Sequence, residues 1–189
     1  MKQKVILTLF LLLMTFIQAQ KNYGTLIFND GRKLNGLIKI KGNDIIFKKS
    51  EKSERENYNY ENISALTFLD KENTTQRFEY IKLDHKNIPK LCYVEINDFL
   101  KLYSNVSSSF IMNGMGGNLR STSTFHIKRE NEEFATYYVA FGYIPKNSFK
   151  SVVLEYFKDC QHLINKLEKK EFKKKHYFEI IEYYNNNCR

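Results

Sequence analysis

Between residues 21 and 103 apolar side chains recur at every second position in short runs. In "NYGTLIFNDGRKLNGLIKIKGNDIIFKK" (22–49), three extended runs are divided by Asn29-Asp30-Gly31 and Gly42-Asn43-Asp44, both favourable turn chemistry. Glycines at 24, 31, 36 and 42 mark sharp turning or close backbone approach, as in a small, strongly curved sheet. The charged stretch "SEKSEREN" (50–57) reads as a loop. Alternation then predicts strands at Ile63–Leu69, Thr74–Leu83, Lys90–Ile96 and Phe99–Tyr103, with two more around Phe125–Lys128 and Phe134–Phe141. The intervening "SNVSSSFIMNGMGGNLRSTST" (104–124) is rich in Ser, Asn, Gly and Thr and reads as a long exposed loop or a mobile hairpin tip.

After "GYIPKNS" the period changes from two to 3.6, with Asn147 or Ser148 as the expected N-cap. Val152, Val153, Tyr156, Phe157, Ile164 and Leu167 follow one helical face, and Tyr177, Ile181 and Tyr184 follow another. Interruptions near Asp159 and Lys170 divide this region into two or three helices. The pattern predicts an α+β protein: an antiparallel β-rich sheet or barrel-like domain over 20–145, then a helical segment over 146–189 packed on it.

The first residues do not belong to that fold. Lys2 and Lys4 precede an unbroken apolar run from Val5 to Ile17, followed by Gln18-Ala19-Gln20. Such a run rises only about 20 Å as a helix, short of the roughly 30 Å hydrocarbon core. With its basic flank and small residue, it reads as a signal peptide over 1–19, cleaved near Ala19, so the protein is expected to be periplasmic or secreted. Nothing later is apolar enough to span a membrane. Thirteen Tyr and fifteen Phe supply core volume, and two Pro leave little room for disorder. Removing the signal leaves 28 basic against 21 acidic residues, a net charge of about +7.

Export changes how the three cysteines read. Cys92 in "KLCYVEI" alternates with Val94 and Ile96, the place of a small buried hydrophobe on a strand. Cys160 and Cys188 each continue an apolar helical stripe, so each thiol faces a packing surface, and the expected disulfide joins them. It closes a loop of about 29 residues, worth about 3–4 kcal/mol in the chain-entropy model.

The segments "GTLIFNDGRKLNGLIKI", "YENISALTF", "LKLY" and "FKDCQHL…IIEYYNNNC" together resemble an exported family common in Bacteroidota. The likeness spans nearly the whole mature chain. Its most specific element is the cysteine pair with a terminal Tyr-Asn…Cys, here Tyr184, Asn185 and Cys188 with Cys160 upstream. The family often has Pro after the first of these cysteines, where this chain has Gln161. The resemblance implies the compartment and the disulfide, and brings no activity with it.

Motifs for chemistry are weak. The glycines of "NGMGGN" (113–118) fit neither G-x-x-x-x-G-K-[ST] nor G-x-G-x-x-G, and a strand follows rather than a helix. Phe110, Ile111, Met112 and Met115 could instead form an adhesive tip. Cys160-x-His162 with His176 has no recognised metal spacing, and a disulfide-bonded sulfur cannot ligate. His85 beside Asp84 reads as a solvated turn before it reads as a general base. Three N-x-[ST] triplets start at Asn62, Asn73 and Asn105 and matter only where exported proteins are glycosylated. No cofactor is expected.

The strongest charge feature is "KLEKKEFKKKH" (166–176), in which Lys169, Lys170, Lys173, Lys174 and Lys175 are candidates for contact with an anionic surface. Lysines outnumber arginines 24 to 6, against the bidentate Arg preferred for phosphate and base recognition, and export removes nucleic acid as a partner. The expected role is a non-catalytic binding or structural module of the cell envelope, partnered by an anionic polymer, lipid headgroups or another envelope protein. The alternative is a hydrolase-type enzyme whose scattered carboxylates and histidines meet only in the fold.

Overall fold

The computed structural model describes residues 22–69, 74–83, 87–113, 116–142 and 149–188, and within 107–120 it describes the backbone alone. The predicted signal, the His85–Asp84 pair, Asn73 and the N-cap at 147–148 lie outside the described residues, as do the side chains of 110–112 and Met115. Ten strands form one sheet, in the order β10-β9-β8-β7-β6-β5-β1-β2-β3-β4. They are β1 (Asn22–Phe28), β2 (Lys33–Lys41), β3 (Asp44–Lys48), β4 (Glu56–Tyr58), β5 (Ile63–Leu69), β6 (Thr75–Leu83), β7 (Lys90–Ile96), β8 (Leu100–Asn113), β9 (Gly116–Arg129) and β10 (Phe134–Gly142). Three helices follow: α1 (Phe149–Tyr156), α2 (Gln161–Glu168) and α3 (Tyr177–Asn187), with a 3-10 turn at Lys174–His176.

The alternation read from the sequence is the alternation of burial. Leu26 on β1, Ile38 on β2, Ile45 and Phe47 on β3, and Ile63 and Leu66 on β5 point inward and form one core cluster. Curvature there depends on two glycines directly opposite each other on β1 and β2. A Cβ at Gly24 would run into the Thr67 carbonyl, and one at Gly36 would enter the ring of Phe47. The close approach inferred at these positions is present.

Two expectations are refined. Glu56–Tyr58, overlapping the end of the predicted charged loop, pairs with β3 as a short edge strand. Residues 104–124 are hairpin rather than loop: the β8–β9 ladder runs without interruption from Leu100–Arg129 to Asn113–Gly116. Ladder bonds come from backbone groups, which Ser, Asn, Gly and Thr supply as well as Val does.

β6 belongs to two layers. Its first half pairs with β5, its middle with β7, and its end, at Lys82 and Leu83, pairs in parallel with Phe134 and Ala135 of β10. A second cluster lies on this inner face: Ile81, Cys92, Val94, Tyr103 and Ala135. Cys92 is 1 % exposed and its thiol is free, as its alternation predicts.

The largest cluster lies on the other face of β8–β10. Leu100, Leu102, Phe125, Ile127, Tyr138 and Val139 are covered by Val153, Phe157, Leu163, Leu167, Ile180, Ile181 and Tyr184 from the helices. The helix breaks fall near the two predicted points. Phe157–Cys160 makes a turn, with the Cys160 amide donating to the Phe157 carbonyl, and Lys170 takes φ 61°. Gln161 opens α2, the position where proline is tolerated in a helix, so the break stands without it.

Candidate functional site

The helical layer is closed on itself by a disulfide and fixed to the sheet by polar contacts. Cys160 and Cys188 form the expected disulfide, with Cα atoms 5.5 Å apart. Asn185, 3 % exposed, accepts from the Leu100 amide at 2.8 Å and donates to the Leu100 carbonyl at 3.0 Å. The last β7 pairing is Ile96–Leu102, so this side-chain amide continues the ladder where that strand has ended. Arg129, at the end of β9, makes a further contact between sheet and helices. Its guanidinium donates to the Tyr184 hydroxyl, Glu132, Asp159 and the Tyr156 carbonyl, each at 3.0 Å, and lies 4.3 Å from the centre of the Tyr156 ring. Tyr156 and Tyr184 return hydrogen bonds to Glu132 and Asp159 at 2.6 Å.

This framework holds the lysine-rich turn between α2 and α3. Lys166 donates to Glu171 at 2.8 Å, with Phe172 and Tyr183 beneath its ammonium. That bond is the leading cause that holds the Glu171 carboxyl below its usual range and raises Lys166. The principal acid within the turn is thereby occupied. Lys169, Lys170, Lys173 and Lys175 are exposed. Lys174 differs: it is half-buried, its ammonium 5.1 Å from the centre of the Phe141 ring at the end of β10, so it packs as well as carries charge. His176 accepts the Lys173 amide through Nδ1 at 3.2 Å, and His162 is exposed. Among the described residues no three His, Cys, Asp or Glu side chains are grouped to hold a metal ion.

A second polar site went unread in the sequence. Glu79 on β6 is 12 % exposed and accepts from Arg77 at 2.6 Å, Tyr103 at 2.8 Å and Lys101 at 3.2 Å. Lys101 and Tyr103 come from β8, more than twenty positions along the chain, so no local spacing announces the cluster. It borders a cleft of about 430 Å³ that also meets Lys82, Lys128 and Glu133. Burial alone would raise the Glu79 carboxyl. The donors from Arg77 and Tyr103 and the charge of Lys101 outweigh it, so the group stays below its ordinary value. Burial and the Glu79 charge drive the Tyr103 hydroxyl far upward. Burial also pushes the neighbouring Cys92 thiol up to about 11.

Compared with family models, curated proteins and solved structures, the chain matches none of them. Among the described residues no helix is long and apolar enough to cross a membrane.

Proposed function

We propose that the protein is a non-catalytic binding module of the cell envelope, exported by its N-terminal signal, which engages an anionic partner through the α2–α3 turn. The observation that carries this reading is the exposure of Lys169, Lys170, Lys173 and Lys175 on a turn fixed by Lys166–Glu171 and braced on both sides by stapled helices. Charges held on a rigid base lose little entropy when they meet a polyanion. The Cys160–Cys188 bond supports the exported compartment, where disulfides persist. Membership of the Bacteroidota family that the sequence resembles belongs to the same proposal. So does the barrel-like half of the fold reading, with β6–β10 as a small unit joined through the β10–β6 pairing.

The rival reading, a hydrolase-type enzyme, rests on the Glu79 cleft. There the groups weigh toward binding. A general base needs a free lone pair and a pKa near the working pH, whereas Glu79 is held ionised by three donors, and Tyr103 and Cys92 are pushed away from neutrality.

The test is binding of the mature protein to anionic envelope material over a salt series. A variant with glutamine at Lys169, Lys170, Lys173 and Lys175 should fold normally and bind at least tenfold more weakly at low salt. Salt-insensitive binding that the variant retains would remove the reading.

A further inference from the structure

The sheet face that carries the lysine turn also carries a groove. It has a volume of about 560 Å³ and is lined by Phe78, Lys90, Leu91, Tyr93, Ser104 and Val106. Phe78 and Tyr93 stand opposite each other on β6 and β7, with ring centres 5.3 Å apart and planes at 62°, forming an aromatic corner. Both rings are half-buried, and Val106 beside them is 66 % exposed. Ser104 and Lys90 are among the residues that line the same space.

The groove and the turn share one row of the sheet. Val106 on β8 pairs with Ser123 on β9, which pairs with Phe141 on β10. Lys174 sits over Phe141. Two strand spacings, about 10 Å, therefore separate the groove edge from the ring beneath Lys174. A partner lying across this face meets an aromatic corner with hydrogen-bonding groups and then a line of ammonium charges.

We propose that the anionic partner is an acidic polysaccharide, one sugar ring of which seats against Phe78 and Tyr93 while its carboxylates reach the lysine turn. The inference rests on the turn being an anion-binding surface and adds the identity of the ligand. A sugar ring offers both an apolar face for aromatic contact and hydroxyls for Ser104 and Lys90. A lipid surface is matched less well: contact with a plane of headgroups gives a recessed aromatic corner no ring to hold.

The experiment titrates full mature protein with hexagalacturonate, its fully methyl-esterified uncharged counterpart, and phosphatidylglycerol vesicles. Wild type should bind hexagalacturonate, and Tyr93→Ala should weaken this at least tenfold. Because Tyr93→Ala removes packing, the uncharged Val106→Gln, at an exposed position, serves as the second variant and should weaken it similarly without changing thermal stability. The methyl ester should bind more weakly, lose binding in Tyr93→Ala, and be unaffected by glutamine at Lys169, Lys170, Lys173 and Lys175. Binding that falls with the lysine substitutions but survives both groove variants overturns this inference and leaves the anion-binding turn standing. Binding that falls only with the groove variants overturns the turn as anchor and keeps the sugar groove. No binding of hexagalacturonate, or tight vesicle binding indifferent to the groove variants, overturns the polysaccharide.

Discussion

Asn185 and Glu79 each hold their surroundings by hydrogen bonds that no neighbour can replace. Asn185→Leu has a similar volume but strands the Leu100 amide and carbonyl in the core. At about 1–3 kcal/mol for each of the two buried groups left unmade, the variant should lose about 2–6 kcal/mol in urea unfolding. Glu79 gives a pH signature. Its carboxyl lies below the ordinary value in the folded state, so the unfolded chain binds the proton more readily. Its contribution is present above the unfolded pKa and is lost as pH falls through the folded one, so stability should drop below about pH 4.5, the usual glutamate value. Acid titration of Glu79→Gln should show a flatter limb there, with lower stability at pH 7 because Arg77 and Lys101 lose their shared negative charge. Cys92 has the opposite sense. Its folded pKa of about 11 means the thiol should resist alkylation at pH 8 until denaturant is added.

At the scale of elements, period-two alternation was enough to read nine of the strands, because apolar side chains recur mostly at alternate positions, even where, as on β8 and β10, both faces are covered. β4 escaped because Glu56 and Asn57 are exposed and only Tyr58 packs inward. The 104–124 segment was ambiguous for a different reason: composition reports what side chains prefer, and a hairpin ladder is made by the backbone. The helix stripes placed Cys160 and Cys188 correctly, since a helical face is a local pattern. The Asn185 contact and the Glu79 cluster were invisible, because their partners come from other elements. For α3 the expected result of Cys188→Ser is a loss of about 2–5 kcal/mol, with faster amide exchange first over residues 177–187. Lys170 invites a milder change. With φ at 61°, glycine there relieves backbone strain, and Lys170→Gly should leave stability equal or higher by up to about 1 kcal/mol while removing one charge from the turn.

Across the whole molecule, the two large clusters differ in what they need. The cluster built on β1, β2, β3 and β5 includes no helical residue, whereas the face of β8–β10 is covered by the helices. A chain ending at residue 142 should therefore keep amide protection in β1–β3 and lose it in β8–β10, with strong binding of an apolar dye. Uniform loss of protection in both halves would mean that β6, which pairs with β5, β7 and β10, makes them one cooperative unit.

The Asn185–Leu100 bond joins residues 85 positions apart. Time enters here. The β8–β9 hairpin closes locally and can form in about 1–10 μs, while the helical segment must wait for a far larger loop to close. During that interval Leu100, Leu102, Phe125, Ile127 and Tyr138 face solvent on an open sheet, the arrangement most prone to self-association. Refolding yield should therefore fall as protein concentration rises, and it should recover when the Cys160–Cys188 bond is kept intact, because the staple shortens the search by which α3 finds its strand.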